Sequence, residues 1–416
     1  MTPLYNLAIN LYGQAVRLAG RTGNVKAAKM VAGHRDTFAI LEGKLEKGRE
    51  YVWIHAASLG EFEQGRPLIE RLRRERPELG IVLSFFSPSG YEVRKNYDKV
   101  DAVVYLPFDT PSAARRWVET VNPVMAIFVK YEFWGNYLSA LASRHIPTYL
   151  ISAIFRKGQI FFRPWGGEFR KILHCFTTIF VQDDNSRNLL ASIGIDNVVV
   201  AGDTRFDRVT DIMKTTRTVD AIERLSATGR PLMVFGSSWP ADEEKYIPWL
   251  KTHPEVIAVI APHEFDKERL ELMRRNLSIA PGDTLLLSEI TADTDLSGVR
   301  AVIVDSFGLL SSLYRYGQMA YVGGGFGVSI HNINEAAVYG IPVIFGPKHQ
   351  KFREAFGLID CGGGHTVDSA EAFDRIATAL LTDTTLRRRS GDAAGQYIRD
   401  NLGATDTVYS HIFPQK

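Results

Sequence analysis

Short apolar runs alternate with amphipathic stretches along almost the whole chain, and after a charged segment the alternation starts again. The runs Tyr51–Ala56, Ile81–Phe86, Ala102–Leu106, Val124–Val129, Thr148–Ile151, Thr178–Val181 and Val198–Ala201 are β-branched or aromatic and bounded by Gly, Pro, Ser or Asp. They read as buried strands separated by helices such as Phe62–Arg76 and Asn136–Arg144. After Asp207–Arg230 a second series is expected at Leu232–Gly236, Val256–Ala261, Thr284–Leu287, Val302–Asp305, Met319–Val322 and Val343–Phe345. Strand–helix alternation of this kind builds a parallel sheet covered on both faces. At 416 residues the chain also exceeds what one core usually serves. We therefore expect an α/β protein of two Rossmann-like domains facing across a cleft. The expected divisions are an N-terminal helical segment 1–35, a first domain 36–206, a linker 207–230 and a second domain 231–416. In such sheets ligands bind beyond the C-terminal strand ends.

The remaining composition excludes several classes. A net charge of +2 lacks the basic excess of a dedicated nucleic-acid binder. Cys175 and Cys361, far apart and outside any CxxC, form neither a zinc ribbon nor a disulfide framework. No HExxH or strand-ending DxD is present, and Asp183-Asp184, which imitates one, falls in the first domain, so no metal is expected. The N-terminus lacks the pattern of a cleavable signal peptide. Instead Asn6, Asn10, Gln14 and Arg17 recur at helical spacing as a narrow polar stripe among Leu4, Leu7, Ile9, Leu11, Val16 and Leu18, followed by Arg21, Lys26, Lys29 and Arg35. That pattern fits a helix lying in a membrane interface, or one packed on its own domain. A full span would put the polar stripe in lipid.

Several motifs follow the expected strands. Tyr321–Glu335 runs from a strand into Gly323, Gly324, Gly325 and Gly327, with a helix expected near Ser329–His331. Free N–H groups there favour an anion, and Asn332 and Glu335 share a face. The alternative is a glycine turn with an ordinary capped helix; the segment fits neither the P-loop nor the dinucleotide fingerprint. Ser58–Glu61 follows the first strand. Glu61 there is either a general base raised by partial burial or a first-turn helix acid. Glu132 in Tyr131–Asn136 is expected at the same sheet edge, as a charge-stabilising partner or a structural cap. Arg205 in Gly202–Asp207 either neutralises a departing phosphate or pairs with Asp203 or Asp207. Gly236-Ser237-Ser238-Trp239, Pro262-His263-Glu264 and Asp305–Gly308 fall on one edge of the second sheet, where they can frame a nucleotide.

In this order, Ser58–Glu61, Glu132-Phe133-Trp134, Gly202–Asp207, Pro262-His263, Asp305–Gly308 and His331-Asn332-x-x-Glu335 resemble the 3-deoxy-D-manno-octulosonic acid (Kdo) transferases of lipopolysaccharide assembly, over essentially the whole chain. The resemblance implies a GT-B fold and metal-independent, inverting transfer of Kdo from CMP-Kdo to a primary hydroxyl of a lipid A precursor, with no cofactor. It implies a place on the cytoplasmic face of the bacterial inner membrane, reached through the N-terminal helix, and no nucleic-acid partner. By matching position it makes Glu61 the base, and Glu132 and Arg205 the groups that stabilise charge. Gly236, Ser237, Pro262, His263, Phe307, Gly308, Leu309, Gly324, Gly325, Asn332 and Glu335 match donor-binding segments. Arg156 sits where an arginine meets an acceptor phosphate, and the aromatic, basic loop Phe155–Trp165 reads as an acceptor contact or as domain packing.

The sequence also departs from the family pattern. Arg205 stands for a common lysine, Trp239-Pro240 for a histidine and its neighbour, and Leu309 for a common glutamate. Rival readings are a UDP-sugar transferase or epimerase, or a non-catalytic nucleotide-sugar sensor; nucleotide preference and turnover separate them.

Overall fold

The computed structural model describes residues 1–214 and 216–414. They form two compact units, the first running to Arg208 and resuming at Leu402, the second spanning Val209–Asn401. The first unit holds seven strands, β1 (Tyr51–His55), β2 (Gly80–Phe85), β3 (Ala102–Tyr105), β4 (Pro123–Val129), β5 (Thr148–Ala153), β6 (Thr178–Val181) and β7 (Val198–Val200). The second holds β8 (Leu232–Ser238), β9 (Ile257–Pro262), β10 (Thr284–Leu286), β11 (Ala301–Ile303), β12 (Met319–Val322), β13 (Val343–Phe345) and β14 (Gly364–Thr366). The sheet orders are β3-β2-β1-β4-β5-β6-β7 and β10-β11-β9-β8-β12-β13-β14, every pair parallel. The first sheet reverses its direction of growth between β1 and β4; the second, in which β11 is inserted between β9 and β10, does so between β8 and β12. Connections leave those two strands on opposite faces, which opens a crevice beyond their C-terminal ends.

Both faces of the first sheet are buried, as continuous apolar strands require. Trp53, Trp117, Phe128 and Tyr137 pack on one side, with Trp53 and Trp117 ring centres 5.0 Å apart. Val52, Ile54, Phe62, Leu68 and Ile69 fill the other. Two helices precede β1, α1 (Pro3–Arg21) and α2 (Val25–Lys44). Helix α3 (Leu59–Glu75) follows it and opens on a reciprocal capping box between Ser58 and Glu61.

Four sequence expectations are corrected. The division at residue 36 falls inside α2, whose Thr37 and Leu41 are buried against the domain. The segment 207–230 is largely helical, as Thr204–Lys214 and Asp220–Ser226. The second unit ends at Asn401 rather than 416, because the final helix Ala404–Ile412 buries Val408, Tyr409 and Ile412 in the first unit's core. Asp207 fixes this return by accepting from the N–H groups of Gly403 (2.8 Å) and Thr405 (2.6 Å). Finally, the helix expected near Ser329–His331 begins only at Asn334 and lasts four residues, so the glycine segment is a long loop. Strand β14 had no apolar run to announce it.

Truncating a nearly buried isoleucine costs about 2 kcal/mol at the low end of such changes. Ile412→Ala should therefore speed amide exchange in β1 and β4 while leaving β8 and β12 unchanged. Faster exchange confined to the second unit would contradict the assignment of the C-terminal helix.

Candidate active site

Glu61 and Glu132 both lie at the first unit's reversal point, one after β1 and one after β4. Glu132 is only 7% exposed. A carboxylate so buried needs donors, and one oxygen, Oε2, accepts from His55 Nε2 at 2.9 Å and Trp134 Nε1 at 2.5 Å. His55 Nε2 also lies 3.1 Å from Trp134 Nε1, and the other ring nitrogen, Nδ1, lies 3.1 Å from the carbonyl oxygen of Ser84. Nδ1 is 2.9 Å from Ser84 Oγ, which in turn accepts from Trp53 Nε1 at 2.8 Å. A buried chain of hydrogen bonds thus runs from β1 and β2 to Glu132. His55 was absent from the sequence assignments: one histidine ending an apolar strand carries no pattern, and its partners lie 29 and 77 residues away.

Glu61 is half-buried and accepts from the Ser58 N–H at 3.1 Å. Burial and then the neighbouring Glu132 charge push its carboxyl up to about 7, against the N–H of Ala57 and the cation of Lys130. Lys130, between β4 and Glu132, holds a left-handed φ of 67°, a costly conformation for a residue with a side chain. Glu61 thus caps a helix and is also a carboxylate held near neutrality.

Tyr131 collects the other candidates of this unit. Its hydroxyl is raised by burial, with Arg156 and Arg205 opposing and Glu61 and Asp203 adding to the shift, so all four are its electrostatic neighbours. Arg205 pairs with buried Asp203 through Nε (2.9 Å) and Nη2 (2.7 Å). Asp203 also accepts from Gln64 of α3 at 3.1 Å, which braces the guanidinium against the same helix that carries Glu61. In the Phe155–Trp165 loop, Phe155 and Phe161 are core residues packed on Phe133, whereas Trp165 is 72% exposed. Packing accounts for the first two and not for the third. Asp183 caps the helix Asp184–Ala191. Among the described residues no group of three or more His, Cys, Asp or Glu side chains is placed to hold a metal ion.

In the second unit the reversal point joins Gly236–Trp239 after β8 to the glycine loop after β12. Buried Asp242, which the sequence reading passed over, organises both. It accepts from the N–H of Trp239 (3.0 Å), the N–H of Gly324 (2.9 Å) and the hydroxyl of Tyr321 (2.8 Å). Gly324 has φ +93°, and a Cβ on Gly325 would stand 2.6 Å from the backbone of Gly346. These two glycines serve a turn and a close crossing of the chain itself. Ser237 also takes a left-handed φ, 52°. Pro262 ends β9, and its neighbour His263 is exposed with its ring 4.4 Å from Trp239 and 4.5 Å from His331. Asn332 donates to Glu335 at 3.0 Å. Between them, wholly buried Asn334 has no hydrogen-bond partner for either amide atom among the described residues. Phe307, 83% exposed, packs on Phe265 with ring centres 4.5 Å apart and planes tilted by 40°, and the adjacent Gly308 and Leu309 lead into the next helix.

Removing the Glu132 charge while keeping its shape should lower the Glu61 carboxyl from about 7 toward the ordinary range near 4.5. A carbon-13 carboxyl titration of Glu132→Gln reads this directly; an unmoved Glu61 resonance would refute the coupling.

Residues 29–208 match the family model described as 3-Deoxy-D-manno-octulosonic-acid transferase (kdotransferase). The 3-deoxy-D-manno-octulosonic acid transferase of Haemophilus influenzae is 25% identical over 389 residues, covering 87% of this chain and 86% of that protein. That of Aquifex aeolicus is 26% identical over 359 residues, covering 83% and 91%. Among solved structures, the fold is similar to UDP-GlcNAc 2-epimerase from Neisseria meningitidis (TM-score 0.60, 15% identity, 88% of this chain and 100% of that one). It is also similar to MurG of Acinetobacter baumannii (TM-score 0.56, 12% identity, 88% and 100%). With two all-parallel seven-stranded units of GT-B type, a first unit that matches the family model and relatives that extend over both, this chain is similar to the Kdo transferases over most of its length.

Proposed function

We propose that the protein transfers Kdo from CMP-Kdo to a primary hydroxyl of a lipid A precursor, inverting the anomeric centre without a metal. The observation that carries this reading is Glu61, a carboxylate at a sheet reversal point held near pH 7 by burial and by Glu132. Ionised, Glu61 takes the proton of the acceptor hydroxyl. The hydroxyl oxygen bonds to the anomeric carbon, and the bond from that carbon to the CMP phosphate oxygen breaks with its electron pair leaving on CMP. Glu132, held by its buried donors, faces the positive charge that gathers on the sugar; Arg205 answers the negative charge on the departing phosphate. In the second unit the loops that carry Gly236, Ser237, Pro262, His263, Phe307–Leu309, Gly324, Gly325, Asn332 and Glu335 would hold the nucleotide.

The lipid side of the proposal rests on α1, which packs on its domain through Tyr5, Asn6, Ile9, Gly13 and Val16 and leaves Asn10, Gln14 and Arg17 exposed. Tyr5 donates to Asp109 at 2.6 Å, and Asn6 accepts from Asn136 at 2.9 Å. Asp109 is fully buried and also accepts from the N–H groups of Asn136 and Tyr137, opening the helix Gly135–Ala142. Leu4, Leu7, Leu11 and Leu18 are left between 54% and 75% exposed. Beside them a cavity of about 630 Å³ is lined by Arg17, Arg21, Arg35, His34 and Phe108. An apolar face edged by arginines suits the interface of an anionic bilayer. Among the described residues no helix is long and apolar enough to cross a membrane. We propose that the protein lies on the cytoplasmic face of the inner membrane through α1.

Two experiments test these halves. With CMP-Kdo and a lipid A precursor, product mass should show transfer by the native protein, and Glu61→Ala should lower turnover at least ~100-fold while CMP binding persists. Glu335→Ala should weaken CMP binding about tenfold. Retained turnover without Glu61, or protection against melting by UDP in place of CMP, would overturn the reading. In vesicle flotation, Arg17→Glu with Arg21→Glu should cut binding to phosphatidylglycerol vesicles by roughly tenfold or more, at about 1 kcal/mol per basic residue. Leu7→Ser with Leu11→Ser should weaken binding to every vesicle; equal flotation of all variants would remove α1 from the interface.

A further inference from the structure

Beyond the glycine loop, three rings stand in a row at the second unit's reversal point. Trp239 stacks on His263 with ring centres 4.4 Å apart and planes at 24°, and His263 lies 4.5 Å from His331 at 31°. The indole also reaches past His263, and its Nε1–H donates to Nε2 of His331 at 3.1 Å. An indole N–H can only donate, so Nε2 must be the unprotonated nitrogen of that imidazole. Burial and then His263 hold the His331 pKa down to about 4, which leaves the ring neutral with one proton to place. That proton is confined to Nδ1, for which no acceptor is found among the described residues.

The backbone leaves the ring little freedom to do otherwise. The His331 N–H donates to the carbonyl of Gly323 at 3.1 Å, and a Cβ on Gly324 would come within 2.9 Å of His331 Cδ2. Asp242 ties the N–H groups of Trp239 and Gly324 to a single carboxylate oxygen at 3.0 and 2.9 Å. Donor and acceptor rings are therefore mounted on one rigid bracket.

We propose that Trp239 is a positioning residue that fixes His331 as the Nδ1–H tautomer and so makes it a directional hydrogen-bond donor to a phosphate or carboxylate oxygen of the bound sugar nucleotide. The ligand half of this statement rests on the donor-site reading above; the tautomer half does not. A neutral donor suits this position because it recognises an anionic oxygen without holding the leaving nucleotide as tightly as a full cation would. The wide face of Trp239 also occupies the space beside His263, which narrows what can approach that ring to a flat or small group.

The test uses the full chain labelled with nitrogen-15 at histidine, with two-bond nitrogen–proton correlations assigned by a His331→Gln variant. In the native protein His331 should show a protonated Nδ1 and an unprotonated Nε2 before any ligand is added. Trp239→Phe keeps an aromatic ring against His263 and removes only the N–H, so His331 should become a mixture of tautomers with the melting temperature nearly unchanged. CMP should then bind about fivefold more weakly, the worth of one modest hydrogen bond, and its addition to the native protein should shift Nδ1 more than Nε2. A native His331 protonated on Nε2, a Trp239→Phe protein that keeps the pure Nδ1–H form, or equal CMP affinity in both would each overturn the proposal. Absence of CMP binding by the native protein would overturn the donor-site reading itself, while the ligand-free tautomer still decides the role of Trp239.

Discussion

Glu132 is a carboxyl taken out of water just beyond the end of a parallel strand, and much of the first unit is arranged around supplying it with hydrogen-bond donors. Without donors, a buried carboxylate would take up a proton or destabilise the fold. Instead His55 and Trp134 converge on one of its oxygens, and His55 is oriented by Ser84, itself oriented by Trp53. Each member of that chain is contributed by the sheet or by the turn after β4, so the sheet's register sets the position of the charge. The consequence reaches Glu61, which shares the reversal point and feels Glu132 as a like charge. A carboxylate near pH 7 in this unit is thus a product of two burials and one repulsion, and the Lys130 cation limits how far it rises.

The same economy of charge explains the N-terminal helix. Asp109 is buried at the start of the helix Gly135–Ala142, where two backbone N–H groups need an acceptor. Tyr5 supplies its third hydrogen bond, and burial still raises the Asp109 carboxyl. Because α1 must bring Tyr5 and Asn6 to this point, Leu4, Leu7, Leu11 and Leu18 are turned out. The orientation is fixed by hydrogen bonds, so the exposed apolar face is a stable property of the folded first unit. Arg17 and Arg21 then edge that face, and Arg17 lies over the ring of Phe108 at 6.0 Å.

Elements whose signal is local were legible in the sequence. Thirteen of the fourteen strands announced themselves as apolar runs, and β14, a Gly-His-Thr edge strand, did not. Glu61 and Glu132 were found because both follow strands closely, and strand ends in parallel sheets converge. What stayed hidden depends on partners distant in sequence. His55, Asp109 and Asp242 are single polar residues whose meaning lies in acceptors or donors brought in by other elements. The glycine loop was read as a ligand cradle at a helix start. In the fold Gly325 is required by the crossing of Gly346, and the helix begins three residues past His331. The resemblance to Kdo transferases supplied donor and acceptor, which periodicity alone could not reach.

The two reversal points solve one problem in opposite ways. Each carries a buried acid that collects hydrogen-bond donors, Glu132 in the first unit and Asp242 in the second. Glu132 is satisfied by side chains, which leaves its charge to act on Glu61. Asp242 is satisfied largely by backbone, taking the N–H groups of Trp239 and Gly324 that a phosphate would otherwise find at such a turn. A nucleotide phosphate in the second unit must then be met by groups that Asp242 leaves uncommitted. The three-ring row offers such a group in His331, whose Nδ1–H is set by the same residue, Trp239, that Asp242 holds in place. Consumption of backbone donors by a structural acid and the appearance of a side-chain donor beside them are two sides of one arrangement. It also gives the tryptophan at this turn a physical role: the indole can hold a neighbouring imidazole in the required tautomer.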